Sequence, residues 1–364
     1  MDKKTIYTIS SVKDEADIIE SLVRYTLNFA DGMVINENGS TDNTLAILKQ
    51  LKSEGLNIDI IEDTKSEYVE LEKKKELLNY VMKKYSPDWV LCLDADEFLF
   101  EIDYKNPRNA ILSLNPLEEN QILWRTFVLN GDEKKEEQFI PKRVLYRRDE
   151  SCEEFAKAVI SKELYKKGCL FSLGAHTLYG SEFASKVNYP KDLFLGHYPV
   201  RSINQLTARI ISGALNVLAQ DSRESGRNFH HFEMLDKIIQ NGCIDKETLC
   251  KESLYYAISD KSIDIKKELK PLDVSFCKGL DMKYSPKEPQ SSLSIALSIG
   301  TTLIEKLRVE KEILHNEKVF LENELSKKEK ELEEIKALFH KTISSRGWIF
   351  LEKLRKIKRW VKKS

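Results

Sequence analysis

Two rhythms of apolar positions run through the N-terminal part of the chain. Short apolar runs alternate with longer stretches in which apolar residues recur at helical spacing. Thr5 to Ser10 reads as a strand, and Asp14 to Phe29 as a helix with Ile18, Ile19, Leu22, Val23 and Phe29 on one face. Gly32 to Ile35 is a second strand. The polar turn Asn38 to Asp42 offers helix caps, Asp42 and Ser40 among them, to a helix carrying Leu45, Ile47, Leu48 and Leu51. Ile58 to Ile61, a helix over Val69 to Tyr85, and a fourth strand over Trp89 to Leu93 follow. Four strands alternating with three helices predict an α/β fold with a Rossmann-like, mostly parallel sheet. Such a sheet takes its ligand at the carboxyl ends of the strands.

From Ile122 to Tyr198 the pattern changes to short β-like runs between polar turns: Ile122 to Leu129, Val144 to Tyr146, Lys157 to Ser161 and Phe194 to Tyr198. Ile203 to Leu218 and Phe232 to Ile263 read as helices. Residues 264–292, with Pro271, Pro286 and Pro289, read as a linker. Beyond it, Ile304, Lys311, Lys318, Leu325, Leu332 and Phe339 form one heptad row, and Leu307, Leu314, Leu321, Lys328 and Ile335 the other. Eight of these eleven positions are apolar, which predicts a coiled coil, with a copy of itself or with a partner helix. A single long solvated helix packed on its own domain is the alternative.

The tail Ser345–Ser364 holds eight basic residues against one acid, with Phe350, Leu354, Ile357 and Val361 at helical spacing beside Trp348 and Trp360. A basic amphipathic helix of this kind suits an anionic membrane surface. A solvated helix end, or a calmodulin-like or nucleic-acid contact, would share the pattern. The expected division is therefore 1–215, 216–292, 293–342 and 343–364.

Charge and cysteine content narrow the classes. Lys and Arg number 58 against 59 Asp and Glu, so there is no global pull toward nucleic acid. Six scattered cysteines form no Cys-x-x-Cys pair, consistent with free thiols in a reducing compartment. No secretory leader or spanning segment is evident. Leu293 to Ile304 is short and rich in Ser and Thr, so a cytoplasmic protein, at most peripheral at the inner face of the membrane, is expected.

The strongest chemical signal is Leu93-Asp94-Ala95-Asp96-Glu97-Phe98, directly after the apolar run Trp89 to Cys92. If the strand continues, alternation points Asp94 and Asp96 the same way. Two convergent carboxylates at a strand end suit a hard divalent cation, Mn²⁺ or Mg²⁺, and through it phosphate oxygens. Acids so close to a core repel unless a cation neutralises them.

Three ordered blocks then resemble the GT-A glycosyltransferases of the family 2-like bacterial group: Val12 to Ala16, Asn36 to Thr44, and Trp89 to Leu99. The likeness continues through Lys157 to Ile160, His176 and Gly196 to Ser202, and spans roughly residues 5–215. Ser345 to Trp348 and the preceding heptads resemble tails of some polysaccharide-assembly transferases. The resemblance implies a nucleotide-sugar donor, a glycan or lipid-linked glycan acceptor in surface polysaccharide or lipopolysaccharide assembly, and an inverting transfer. It implies Asp96 as direct metal ligand, Asp94 on metal-bound water or the ribose, and His197 completing the metal shell or packing in the core. His176 would touch acceptor or metal, or merely pack. Glu37 would contact the nucleotide where the family carries Asp, and Asp14 stands where Asn is common. Asp132, with Glu133 second, is the candidate general base, a turn carboxylate being the alternative, and Lys157 and Arg201 would neutralise the diphosphate or serve a surface or structural role.

Two other readings compete with this one. A sugar-phosphate nucleotidyltransferase wants a Gly-rich first turn, and Ser10 to Asp14 has no Gly. A non-catalytic coiled-coil scaffold would not require the set Asp94, Asp96 and His197.

Overall fold

The computed structural model describes residues 4–63, 70–150, 155–180, 186–219, 229–258, 260–286 and 292–362. The chain divides into two compact units, 1–302 and 303–364. In the first, β1 (Ile6–Val12), β2 (Gly32–Glu37), β3 (Ile58–Glu62) and β4 (Trp89–Cys92) run parallel in the order β3-β2-β1-β4. Helices α1 (Ile19–Thr26), α2 (Thr44–Ser53) and α3 (Glu70–Lys84) connect them. This is the α/β architecture expected from the alternation of apolar runs.

Strand periodicity divides the core in two. Ile6, Met33, Ile35, Trp89 and Leu91 face α1 and α2, whereas Tyr7, Ile9, Val34, Val90 and Cys92 face α3. Both faces are covered, which is why these strands read as continuous apolar runs.

After β4 come β5 (Glu97–Glu101), β6 (Glu119–Val128), β7 (Tyr146–Arg148) and β8 (Ala156–Ser161). β8 inserts antiparallel between β4 and β6. A later strand, Leu193–His197, pairs antiparallel with β5 and parallel with β6. Gly196 within it leaves room for aromatic packing, because a Cβ there would stand 2.9 Å from the Phe100 ring and 3.2 Å from Tyr198. Phe98, Phe100 and Phe139 surround Tyr25, whose hydroxyl donates to the Leu99 carbonyl at 2.6 Å, and Tyr198 meets the edge of Phe98.

Several expectations change. The first helix begins at Ile19 rather than at Asp14, because Asp14 takes a left-handed backbone (φ 56°) and residues 13–18 form a loop. Asp42 accepts from the Thr44 N–H at the start of α2, but Ser40 accepts instead from the Asp14 N–H. The helix read over Phe232–Ile263 breaks in two, Phe229–Asn241 and Lys246–Leu254. Gly242 (φ 76°) ends the first and the Asp245 carboxylate caps the second.

The described part of the presumed linker, 264–286, is not a free tether. Lys267–Leu269 adds a strand to β7, and Leu272 and Val274 are buried. Buried Glu20 of α1 accepts from the backbone N–H groups of Lys283, Tyr284 and Ser285, each at 2.8 Å. Residues 287–291 and Cys152 lie outside the described residues. The five described cysteines are free.

In the second unit, the helix that starts at Ser292 continues to Ile343, and Arg346–Val361 forms another. No helix among the described residues is long and apolar enough to cross a membrane.

Candidate active site

The sequence Leu93 to Phe98 does not continue as a strand. β4 ends at Cys92, and Asp94–Glu97 is a turn in which the Glu97 N–H donates to the Asp94 carbonyl at 3.1 Å. Asp94 and Asp96 are therefore not related by strand alternation, and they turn to different partners.

Asp94 meets Lys157. The antiparallel register sets Leu91 opposite Val159, so Lys157 lies two residues farther along, level with the end of β4. Its Nζ is 2.6 Å from Asp94 Oδ2 and 3.4 Å from Glu97 Oε1. The Lys157 side chain is 3% exposed, whereas that of Asp94 is 48% exposed. Burial opposes the Lys157 charge, but Asp94 and Glu97 outweigh it and hold the ammonium protonated. Burial likewise opposes the Asp94 charge, and Lys157 followed by Lys74 of α3 draws its carboxyl below the usual range. Glu97, fully buried, is pushed up to about 8 by burial despite Lys157. Its Oε2 accepts from the Asp94 N–H at 2.9 Å, which fixes the turn.

Asp96 meets His197 and Arg201. The pairing of β5 with Leu193–His197 sets His197 opposite Glu97, and the Tyr198 N–H donates to the Asp96 carbonyl at 2.8 Å. His197 Nε2 stands 3.7 Å from Asp96 Oδ2, too far for a hydrogen bond. Burial pushes the His197 pKa down to about 4, so the ring is neutral at physiological pH. Its Nδ1 is buried without a hydrogen-bond partner. The ring stacks on Trp124 of β6, centroids 4.0 Å apart, and meets the edge of Tyr256 at 5.4 Å.

Arg201 lies 3.9 Å from Asp96 Oδ2 and is itself engaged. It pairs with Glu15 at 2.5 Å and with Asp17 at 2.9 Å, both on the loop after β1, and donates to the Tyr198 carbonyl at 3.1 Å. Burial pushes the Glu15 carboxyl up to about 8, with Arg201 opposing.

The structure thus gathers Asp94, Asp96, Lys157, His197 and Arg201 at the carboxyl end of β4. The charges of Lys157 and Arg201 are taken by carboxylates of the chain. Asp94 holds Lys157, leaving Asp96 and His197 as the pair free to share an ion. Two ligands of one ion at about 2.1 Å lie roughly 3 Å apart or somewhat more, so a 3.7 Å gap between a carboxylate and a neutral imidazole fits. Among the described residues, no group of three or more His, Cys, Asp or Glu could hold a metal. Any ion held by Asp96 and His197 would take its remaining ligands from phosphate oxygens and water.

The remaining candidates lie elsewhere. Glu37, at the end of β2, is buried and accepts from the Ser40 N–H at 2.6 Å. His176 accepts from or donates to nothing in the cluster; its Nδ1 is 2.7 Å from the Ala156 carbonyl and its ring meets the edge of Trp124 at 5.7 Å. Asp132 and Glu133 shape the turn after β6. Glu133 accepts from the Asn130 and Gly131 N–H groups, and Asp132 accepts from the Asn130 amide.

Trp124, Tyr256 and Arg209 escaped the sequence reading. Arg209 donates to the Tyr256 hydroxyl at 2.7 Å, and Arg148 donates to the Tyr256 carbonyl at 2.6 Å. Trp124 carried a signal, an aromatic within a β-like run. Tyr256 carried none, because the chain between it and His197 hides their proximity.

No protein-family model and no curated protein matches the chain. Solved structures similar in backbone include residues 1–349 of S. aureus TarS, at 12% identity over 70% of this chain and 75% of that one, TM-score 0.36. Another is the mannosyltransferase PcManGT from Pyrobaculum calidifontis in complex with GDP-Man and Mn²⁺, at 16% identity over 71% of each chain, TM-score 0.35. A third is GalNAc-T7 with UDP, GalNAc and Mn²⁺, at 10% identity over 71% of this chain and 58% of that one, TM-score 0.35.

Proposed function

We propose that the chain is a metal-dependent glycosyltransferase of the GT-A type, moving a sugar from a nucleotide-sugar donor to a glycan or lipid-linked glycan acceptor. The observation that carries this reading is the Asp96–His197 pair, 3.7 Å apart at the carboxyl end of a parallel strand, with a neutral imidazole. Asp96 and His197 would hold Mn²⁺ or Mg²⁺, which supplies positive charge to a departing diphosphate. The motif order Val12 to Ala16, Asn36 to Thr44 and Trp89 to Leu99 supports the same reading.

The chain's own residues divide the work. Lys157 fixes Asp94, whose side chain is half exposed and would accept from a ribose hydroxyl or a metal-bound water. Arg201 places its charge between Asp96 and the loop after β1, paired with Glu15 and Asp17 and 3.9 Å from Asp96. Trp124 holds the His197 ring plane by stacking. For an inverting transfer the proposed base is Asp132, on the turn after β6 and outside the gathered cluster, with Glu133 engaged in that turn. The basic helix Arg346–Val361 would bring the enzyme to an anionic membrane surface, where a surface-polysaccharide acceptor is built.

Incubating the full chain with UDP-, GDP- and dTDP-sugars tests the reading through nucleotide release. One donor class should release nucleotide with Mn²⁺, and release should vanish in EDTA and in Asp96→Asn. Release that persists in EDTA would overturn the metal role, and release from none of the donors would count against the transferase.

A further inference from the structure

The helix Ser292–Ile343 runs 52 residues, and its seam positions from Ile304 onward face solvent. Ile304, Leu314, Leu321, Leu325, Ile335 and Phe339 are each 60–68% exposed. Side-chain pairs along the helix, such as Lys328–Glu331 and Lys336–Glu333, support it only weakly. A solvated helix of this length with an apolar stripe along most of one side is incomplete by itself. Its missing partner is written in the placement of its charges.

Three lysines interrupt the seam: Lys311 and Lys318 in the row of Ile304, and Lys328 in the row of Leu307. In a parallel, in-register pair, a knob of the first row sits beside the partner residue that precedes it in number, on the flank. A knob of the second row sits beside the partner residue that follows. Those flanking residues are Glu310, Glu317 and Glu329, so every seam lysine meets a glutamate of a second copy. The like-charged flank pairs of such a dimer, Glu317 with Glu322 and Glu324 with Glu329, are the ones that Lys318 and Lys328 adjoin.

An antiparallel pair fails this match. It sets the flank row Glu310, Glu317, Glu324 and Glu331 against itself, four acids facing four acids. A third strand fails too, because a lysine in a two-stranded seam reaches water along its flexible stem, whereas a three-stranded core encloses it.

We propose that this helix is the interface of a parallel, in-register homodimer. The inference is independent of the transferase reading, since no residue of the candidate active site takes part. It brings two copies of the basic helix Arg346–Val361 to the same end of the dimer, doubling the charge offered to an anionic surface.

Sedimentation and cysteine cross-linking of the full chain test it. Sedimentation equilibrium at micromolar concentration should give a dimer, and Leu314→Glu with Leu321→Glu should give a monomer with the main melting transition unchanged. Under mild oxidation, Leu321→Cys on the seam should yield a disulfide-linked dimer above the wild-type background of native thiols. Phe320→Cys, one position off the seam, should not. A monomer or trimer for the wild type, or equal cross-linking at both positions, would overturn the proposal.

Discussion

Arg201→Met removes one guanidinium and leaves three carboxylates facing the space it filled. Arg201 is 1% exposed and pairs with Glu15 at 2.5 Å and Asp17 at 2.9 Å, with Asp96 3.9 Å away. Breaking a buried ion pair from one side costs about 3–5 kcal/mol, because the remaining charge is left uncompensated. Two circumstances lower that figure here. Glu15 and Asp17 are 25% and 29% exposed, so water reaches them. Glu15, already pushed up to about 8, escapes its penalty by protonation at neutral pH. The expected loss is about 3 kcal/mol, or roughly 6 °C in Tm for a domain of this size, read by calorimetry in EDTA. Arg201→Lys should lose less, since an ammonium keeps one partner but not the planar fork. The sign reverses for metal. With the positive neighbour of Asp96 gone, Mn²⁺ should raise the Tm of Arg201→Met more than that of the wild type. A Tm within about 1 °C of wild type would refute the buried network, and a smaller Mn²⁺ response would refute the proposed metal role of Asp96 beside Arg201.

Lys157→Met should lower stability by about 2–3 kcal/mol in urea unfolding, limited by Glu97, which is largely protonated at neutral pH; an unchanged midpoint would contradict the Lys157–Asp94 pair. Trp124→Leu removes the ring stacked on His197 and should weaken Mn²⁺ binding several-fold by electron paramagnetic resonance titration, while Mn²⁺ affinity equal to wild type would show that the stack does not hold the imidazole. Glu20→Ala strips the acceptor from three backbone N–H groups, each bond to the carboxylate worth about 1.5–3 kcal/mol. Trypsin should then cut after Lys283 faster than in wild type, and an equal rate would mean that Glu20 does not anchor the segment.

Local rhythm carried the first half of the fold. β1, β2 and β4 are buried on both faces, so their apolar runs needed no tertiary information. What failed was set by contacts distant in sequence or by single backbone angles. Asp14 has an ordinary helical context, but its left-handed φ and the hydrogen bond of its carboxylate to the Thr41 N–H turn it into a loop residue. The prolines at 271 and 286 suggested a tether, whereas Glu20, more than 250 residues earlier, binds the segment down. At the site, the acids Asp94 and Asp96 were legible from composition and position. The division of labour between them was not, because it depends on a turn at Asp94–Glu97 and on strand registers that bring Lys157 to one acid and His197 to the other. For Arg201 the choice between a diphosphate cation and a structural role could not be made without Glu15 and Asp17, which the fold brings to it.

Isothermal titration of UDP and GDP into the full chain, with Mn²⁺ and with EDTA, reaches the central claim most directly. In the proposed reading Asp96 and His197 would hold the ion, and the ion would supply positive charge to the diphosphate. One nucleotide should therefore bind with Mn²⁺, lose its affinity in EDTA, and lose it equally in Asp96→Asn, a variant that keeps the shape of the side chain. Binding of equal strength in EDTA, or in Asp96→Asn with Mn²⁺ present, would contradict the account.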